Sequence, residues 1–470
     1  MKQLLSKLQL LMCFVVLLGS KALNSQTKLP SILSDNMVLQ QSADVKIWGW
    51  DIPDQNIIVT PSWSKAVKTT TNKDGKWQLL VKTPKAGKIG RIKIKGSTKQ
   101  TINNILFGEV WLCSGQSNME RELGFRNNQK PIVNFWEESQ NANNSNIRMF
   151  LVHRKKSNTP LEDSVGKWVI CTPETVLKFS AVGYFYGKQL VDKLKTPVGL
   201  IQAAWGGTKV EPWTPKEGIE KTILDDKYKK KFSSLYNGMI SPLINYKIKG
   251  AIWYQGESNV SNWKQYKKLF PNMISSWRSA WNIGNFPFYF VQIAPYNYPD
   301  KFGVPKIVEA QLEALKLPNT GVAVTQDIGA FNDIHPPEKK EVGRRLSLIA
   351  LHKTYGKKDV IYSGPFLKSF KTEEQKIILD FKTPGSTLHS VGAIMGKIPS
   401  FYIAGENKTF HEAQVNQKGN QIILTSTKVK YPVAVRYNWA NNANGTLYNN
   451  EGLPALPFRT DNWDEVLYAK

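Results

Sequence analysis

Cysteine is nearly absent from this chain of 470 residues, with only Cys13, Cys113 and Cys171. That excludes a disulfide-built scaffold, and two cysteines beyond the leader with no histidine close by make no zinc site. A Cys113–Cys171 bond would need an oxidising compartment. The expectation for Cys113, which ends a strand-like run, is instead a small buried hydrophobe. Histidine is almost as scarce: His153, His335, His352, His389 and His411 are the five available to any imidazole chemistry. After the first twenty residues no apolar run is long enough to span a bilayer. No repeat or low-complexity tract interrupts the sequence, and hydrophobic residues make up 41% of it, ample for packed cores.

Acidic residues are also under-supplied, 37 against 63 lysines and arginines, for a formal net charge of +26. Such an excess raises the question of a nucleic-acid target. The lysines, however, are spread along the chain, and in Arg91-Ile92-Lys93-Ile94-Lys95 they alternate with apolar residues as on the outer face of a strand. The expectation is a basic surface that accepts acidic glycans, with no nucleic-acid partner. Residues 1–26 read as a signal peptide: Lys2 and Lys7 precede the apolar stretch Leu8 to Leu18, and Gly19-Ser20-Lys21-Ala22 leads into polar sequence. An exported protein, periplasmic or secreted and without a membrane anchor, follows as an expectation. Losing the three lysines of that segment leaves a charge of about +23. Asparagine sequons at Asn143, Asn407 and Asn444 matter only in a glycosylating host.

The length suggests more than one domain. Residues 27–104 carry short alternating runs such as Val45 to Trp50, Trp77 to Val81 and Gly90 to Gly96, broken by turn signals, which predicts a β-sandwich-like module. Residues 105–357 alternate strand-like runs with helical stretches. The expected strands are Glu109–Cys113, Ile147–Val152, Val198–Ala204, Ala251–Tyr254, Phe288–Ile293 and Val322–Thr325. The expected helices are Ala181–Leu194, Trp263–Trp281, Val308–Lys316 and Lys339–Lys353. This pattern predicts an α/β unit, a parallel sheet covered by helices with its site at the strands' carboxyl ends. Residues 358–470 return to β character and predict a second β-sandwich-like module.

What carries chemistry is Glu109-Val-Trp-Leu-Cys-Ser-Gly-Gln-Ser-Asn-Met119, a buried strand ending in a small polar turn. A serine on a tight turn after a buried strand faces the sheet's edge, the mechanical logic of a nucleophile elbow, although the motif is not Gly-x-Ser-x-Gly. Three further strand ends bear polar loops: Trp205-Gly206-Gly207-Thr208, Gln255-Gly256-Glu257-Ser258-Asn259 and Asn332-Asp333-Ile334-His335-Pro336. Paired glycines offer backbone N–H groups to an anionic oxygen, and His335 stands where a catalytic base belongs.

Gly-Gln-Ser-Asn resembles the first block of the SGNH hydrolases, and Trp-Leu-Cys-Ser-Gly-Gln-Ser-Asn-Met resembles the sialate O-acetylesterase branch. Trp-Gly-Gly-Thr with Glu211-Pro212-Trp213, the Gln-Gly-Glu-Ser run and the carboxyl-terminal Gly452-Leu-Pro-Ala-Leu-Pro-Phe-Arg-Thr-Asp461 fit the same pattern. The resemblance implies an SGNH-type fold and a serine esterase that needs no cofactor or metal. Ser117 would be the nucleophile and His335 the base. The oxyanion hole would consist of the Ser117 amide, Gly207 (with Gly206 the alternative) and the Gln255 side chain (with Asn259 the alternative). The usual aspartate three residues before the histidine is Asn332 here, so Asp333 is taken as the third triad member and Asp327 as the second candidate. Glu257 reads as a structural carboxylate.

The implied substrate is O-acetylated sialic acid, whose carboxylate would suit Arg121 or Arg126, and Trp213 is a candidate sugar platform. Acetylated plant polysaccharide such as xylan is the alternative substrate. The alternative of another class is a carbohydrate-binding protein with a vestigial site.

Overall fold

The computed structural model describes residues 26–220, 232–391, 400–464 and 466–469; the expected signal segment, except for Gln26, lies outside them. The centre is a sheet whose strands run in the order Thr320–Ala323, Phe288–Val291, Gly250–Tyr254, Lys99–Gly115, Val198–Ala204, Asn144–Leu151 and Trp168–Cys171. Every neighbouring pair is parallel except the last. Trp168–Cys171 was not expected. It returns from Asn144–Leu151 without a crossover helix, so it can only pair antiparallel, and the sheet is therefore mixed.

Period-two alternation along these strands divides the core. Val110, Leu112, Ala251, Trp253, Phe288 and Phe290 face one side, with Leu269, Trp277, Ile307 and Val308 of the helices Trp263–Trp281 and Gly303–Leu312. Trp111, Cys113, Ile252, Tyr254, Tyr289 and Val291 face the other, with Phe185, Leu190, Leu346 and Ile349 of Ala181–Leu194 and Lys339–Lys353. Each such aliphatic side chain contributes roughly 1.5–3 kcal/mol by leaving water. Three of the helices keep their expected bounds. The fourth begins earlier, at Gly303, and after Leu312 tightens into a 3-10 turn over Glu313–Lys316. Cys113 and Cys171 are both buried free thiols.

Strand Lys99–Gly115 is 17 residues long and belongs to two layers. Its first half pairs with Ile89–Lys95 and Val38–Gln40, and its second half with Val198–Ala204 and Gly250–Tyr254. A division at residue 104/105 thus falls inside one continuous strand. Upstream, Asp44–Trp50 pairs with Lys76–Lys82, and Val45, Ile47 and Val81 pack with Ile57, Val59, Ile92 and Ile94. Downstream, one sheet contains Phe366–Glu373, Lys376–Lys382, Gln421–Thr425 and Gln414–Lys418. A second contains Phe401–Ala404, Thr409–Glu412 and Ala434–Tyr437, and Ile377, Leu424, Phe401 and Tyr437 share a core between the two. No described helix is long and apolar enough to cross a membrane.

Candidate active site

The strand Lys99–Gly115 ends in a forced turn. Gly115 has φ +138°, and a Cβ there would stand 2.2 Å from the Tyr254 carbonyl oxygen, so only glycine lets the two strand ends approach. Gln116 N–H then donates to that same carbonyl at 3.0 Å, and a single helical turn, Ser117–Glu120, begins at once. Ser117 is thereby lifted above the sheet edge, half-buried, at the mouth of the strand.

His335 arrives from the loop after Thr320–Ala323, and its Nε2 lies 2.9 Å from Ser117 Oγ. Burial, and then the charges of Lys339, Arg126 and Arg121, hold the imidazole below its ordinary 6.5 against the opposing pull of Asp333. The ring is therefore neutral at neutral pH, the form that accepts a proton.

The third triad member departs from expectation. Asp333 Oδ1 accepts the backbone N–H of His335 at 2.9 Å rather than a ring proton, and Lys130 Nζ lies 3.8 Å from its other oxygen. Two residues apart in a tight loop, the carboxylate closes an Asx turn on the peptide instead of reaching the imidazole. Asp327 is not a substitute: both its oxygens are taken by Arg345 at 2.7 Å.

Of the expected oxyanion donors, the amides remain open and the side chain does not. Among the described residues the N–H groups of Ser117 and Gly207 have no protein acceptor. Gly207 has φ +71° with open space where a Cβ would project. Gly206 is committed, its N–H donating to Glu120 Oε2 at 3.1 Å. Gln255 is fully buried, and its amide nitrogen donates to Thr208 O at 3.2 Å and Asn259 Oδ1 at 2.7 Å. Asn259 is likewise buried, its Oδ1 accepting the Val210 N–H and its Nδ2 donating to Glu211. Gln255 therefore fastens the Gly-Gly loop from beneath, with no donor left for an oxyanion.

Two expected substrate contacts are also core residues. Arg121 is 1% exposed, its guanidinium donating to the carbonyls of Glu122, Gly124 and Lys130. Trp213 is fully buried, with its indole N–H on Thr208 Oγ1 at 2.9 Å and its ring edge-on to Trp253. Neither offers a face to a sugar. Arg126 is partly exposed but pairs with Glu122.

Glu120, one turn after Ser117, opens onto a cleft of about 820 Å³ whose lining includes Arg154, His153, Phe125 and Trp136. Trp136 and Phe125 are 66% and 65% exposed, and Arg154 donates its Nε to Glu120 at 2.7 Å while lying over Trp205. The sequence motifs did not single out this wall, which comes from the segments around 125, 136 and 154.

Behind the Ser117–His335 pair, Asn118 joins three loops. Its Nδ2 donates to Glu257 Oε1 at 2.5 Å and to Ile334 O at 3.0 Å, and its Oδ1 accepts from Lys339 at 2.6 Å. Glu257 is thus the loop-bridging carboxylate expected of it, with burial pushing its pKa up.

The carbohydrate esterase family described as sialic acid-specific acetylesterase matches residues 107–351, the stretch that holds all four strand-end loops. The human sialate O-acetylesterase is 31% identical over 402 residues, covering 74% of this chain and 75% of that protein. The mouse sialate O-acetylesterase is 29% identical over 417 residues, covering 73% and 76%. Among solved structures, a carbohydrate acetylesterase from Xanthomonas citri superposes with a TM-score of 0.86 at 34% identity, covering 93% of this chain and 100% of that one.

Proposed function

This chain belongs to the carbohydrate esterase family of sialic acid-specific acetylesterases, and we propose on that basis that it hydrolyses O-acetyl esters of sugars, acetylated sialic acid foremost. As a member of that family it is a carboxylic ester hydrolase. The observation that carries the residue-level reading is the 2.9 Å contact between His335 Nε2 and Ser117 Oγ.

In this mechanism Ser117 Oγ attacks the acetyl carbonyl carbon as its proton passes to His335 Nε2. The carbonyl oxygen becomes an oxyanion, held by the Ser117 and Gly207 N–H groups. Collapse of that intermediate breaks the bond to the sugar oxygen, which takes the proton from His335. Water, deprotonated by the same ring, then attacks the acetyl-serine, releases acetate and restores Ser117. Asp333 acts one step removed, by fixing the peptide of His335. The cleft beside Glu120 receives the sugar, with Trp136 and Phe125 as apolar walls and Arg154 as the polar one. The leader-like residues 1–26 support export of the mature enzyme.

Ser117→Ala is expected to lower acetate release from a chromogenic acetyl ester by at least about 10³-fold, since the covalent step has no other nucleophile. Undiminished turnover in that variant would overturn the assignment. Acetate release from acetylated sialosides and acetylated xylo-oligosaccharides, measured side by side, tests the substrate: faster release from the xylo-oligosaccharides would move the preference to plant polysaccharide.

A further inference from the structure

A lysine is buried beside the Ser117–His335 pair with no carboxylate in salt-bridge contact among the described residues, and the mechanism above does not use it. Lys339 is fully buried. Its Nζ donates to Asn118 Oδ1 at 2.6 Å and to Pro336 O at 2.7 Å, and lies 5.4 Å from the centre of the Tyr254 ring. Asn118 is the residue after the nucleophile, and Pro336 the residue after the base. The amide of Asn118 passes the contact on to Glu257, whose second oxygen is buried without a partner among the described residues. One amine therefore touches the nucleophile turn and the histidine loop at once, and one amide carries it to the loop of Glu257.

Burying an amine at this depth is costly, and desolvation brings its pKa down to about 7, Glu257 pulling the other way. A purely structural clamp would be better made by an uncharged side chain. Local chemistry also makes the placement unusual. Lys339 opens the helix Lys339–Lys353, the end where the helix dipole disfavours a cation. The two prolines before it, Pro336 and Pro337, hold the chain in a turn that sends the side chain back under His335.

We propose that Lys339 is a positioning residue, its amine setting the separation of the nucleophile turn and the histidine loop so that His335 Nε2 meets Ser117 Oγ. This rests on the Ser117–His335 reading and adds a residue to it. The groups facing His335 are Asp333 on its own loop, Lys339 on the following helix, and Arg121 and Arg126 beyond the nucleophile turn. Lys130 stands beside Asp333, and Glu257 faces Lys339. The Lys339 ammonium is one of the charges that oppose protonation of the His335 ring.

Two variants test this, Lys339→Met, which removes charge and donors, and Lys339→Gln, which keeps an amide donor without the charge. Turnover is read with a chromogenic acetyl ester, and the rate of Ser117 modification by a fluorophosphonate is read by mass spectrometry. Lys339→Met is expected to lower kcat and the modification rate by about 10-fold or more with KM within about twofold. Lys339→Gln should lie between it and wild type. In both, the acid limb of kcat/KM should move to higher pH, because a positive charge facing His335 has gone. The melting temperature of Lys339→Met should fall by a few degrees, about 1–3 °C per lost contact, as Asn118 Oδ1 and Pro336 O lose their donor, and that of Lys339→Gln by less. Either variant, folded and with wild-type kcat and an unmoved acid limb, overturns the proposal. So does a collapse in melting temperature with normal turnover per folded molecule. A wild-type enzyme that neither hydrolyses the ester nor is modified at Ser117 would instead overturn the underlying Ser117–His335 reading.

Discussion

In the proposed mechanism His335 is the base through its ring, and Asp333 fixes the peptide of that residue. Because burial and three neighbouring cations depress the imidazole, its pKa lies below the ordinary 6.5, and kcat/KM should rise with pH to a midpoint under that value. The sign follows from the base being active only when unprotonated: a lowered pKa extends activity toward acid. A pH–rate profile with its acid midpoint above 6.5 would contradict this. Asp333 accepts a peptide N–H, which an asparagine oxygen can also accept. Asp333→Asn should therefore cost about 10-fold or less in kcat, and Asp333→Ala more, as the Asx turn loses its acceptor. A loss of about 10⁴-fold in Asp333→Asn, the size seen when an acid orients the ring itself, would assign the carboxylate to the ring instead.

At the scale of elements, the site is a set of strand ends pinned to one another. Gly115 is one pin. Gly115→Ala would drive a Cβ into the Tyr254 carbonyl at a φ of +138°, so we expect a loss of about 2 kcal/mol or more in urea unfolding, with turnover falling as Ser117 shifts. Arg345 is a second pin, joining the helix Lys339–Lys353 to the strand end through Asp327 and Val324 O. Asp327→Asn should lower stability by about 2 kcal/mol while leaving kcat near normal. The cost stays under the ~3–5 kcal/mol of a broken buried pair, because asparagine keeps one acceptor and Glu341 still faces Arg345. Denaturant melts and initial rates on the same preparations separate the two effects.

For the whole molecule, the shared strand matters most. Residues 99–104 of Lys99–Gly115 belong to the upstream β layers, whose core runs on without a break into that of the central sheet. A chain begun at residue 105 would cut the strand Lys99–Gly115 and uncover Leu106 and Phe107, whose strand partners Val38 and Leu39 would be lost. It is expected to be insoluble or to bind hydrophobic dyes strongly, whereas the chain begun at residue 26 should melt in one cooperative transition. A truncated protein that melts cooperatively and retains turnover would show the two layers to be independent. The carboxyl-terminal sheets are tied in as well, through Arg459 to Glu309 and Asn441 to the start of Gly303–Leu312.

Strand–helix alternation, the four polar strand ends and the Ser117–His335 pair were legible in the sequence because each is a local matter: period-two burial, glycine turns, a rare histidine after a strand. The helices Ala181–Leu194, Trp263–Trp281 and Lys339–Lys353 could be bounded from pattern alone for the same reason. What a side chain at a strand end points toward is not local. Gln255, Arg121 and Trp213 sit in motifs that suggest contact with substrate, yet the packing of three loops turns them inward, to where their donors meet oxygens of the protein. The cleft wall of Phe125, Trp136 and Arg154 comes from segments with no shared motif, brought together only by the sheet order. Lys339 left one readable sign, a cation at a helix start. Its meaning depended on which oxygens the fold put within reach, and only the tertiary structure decided that.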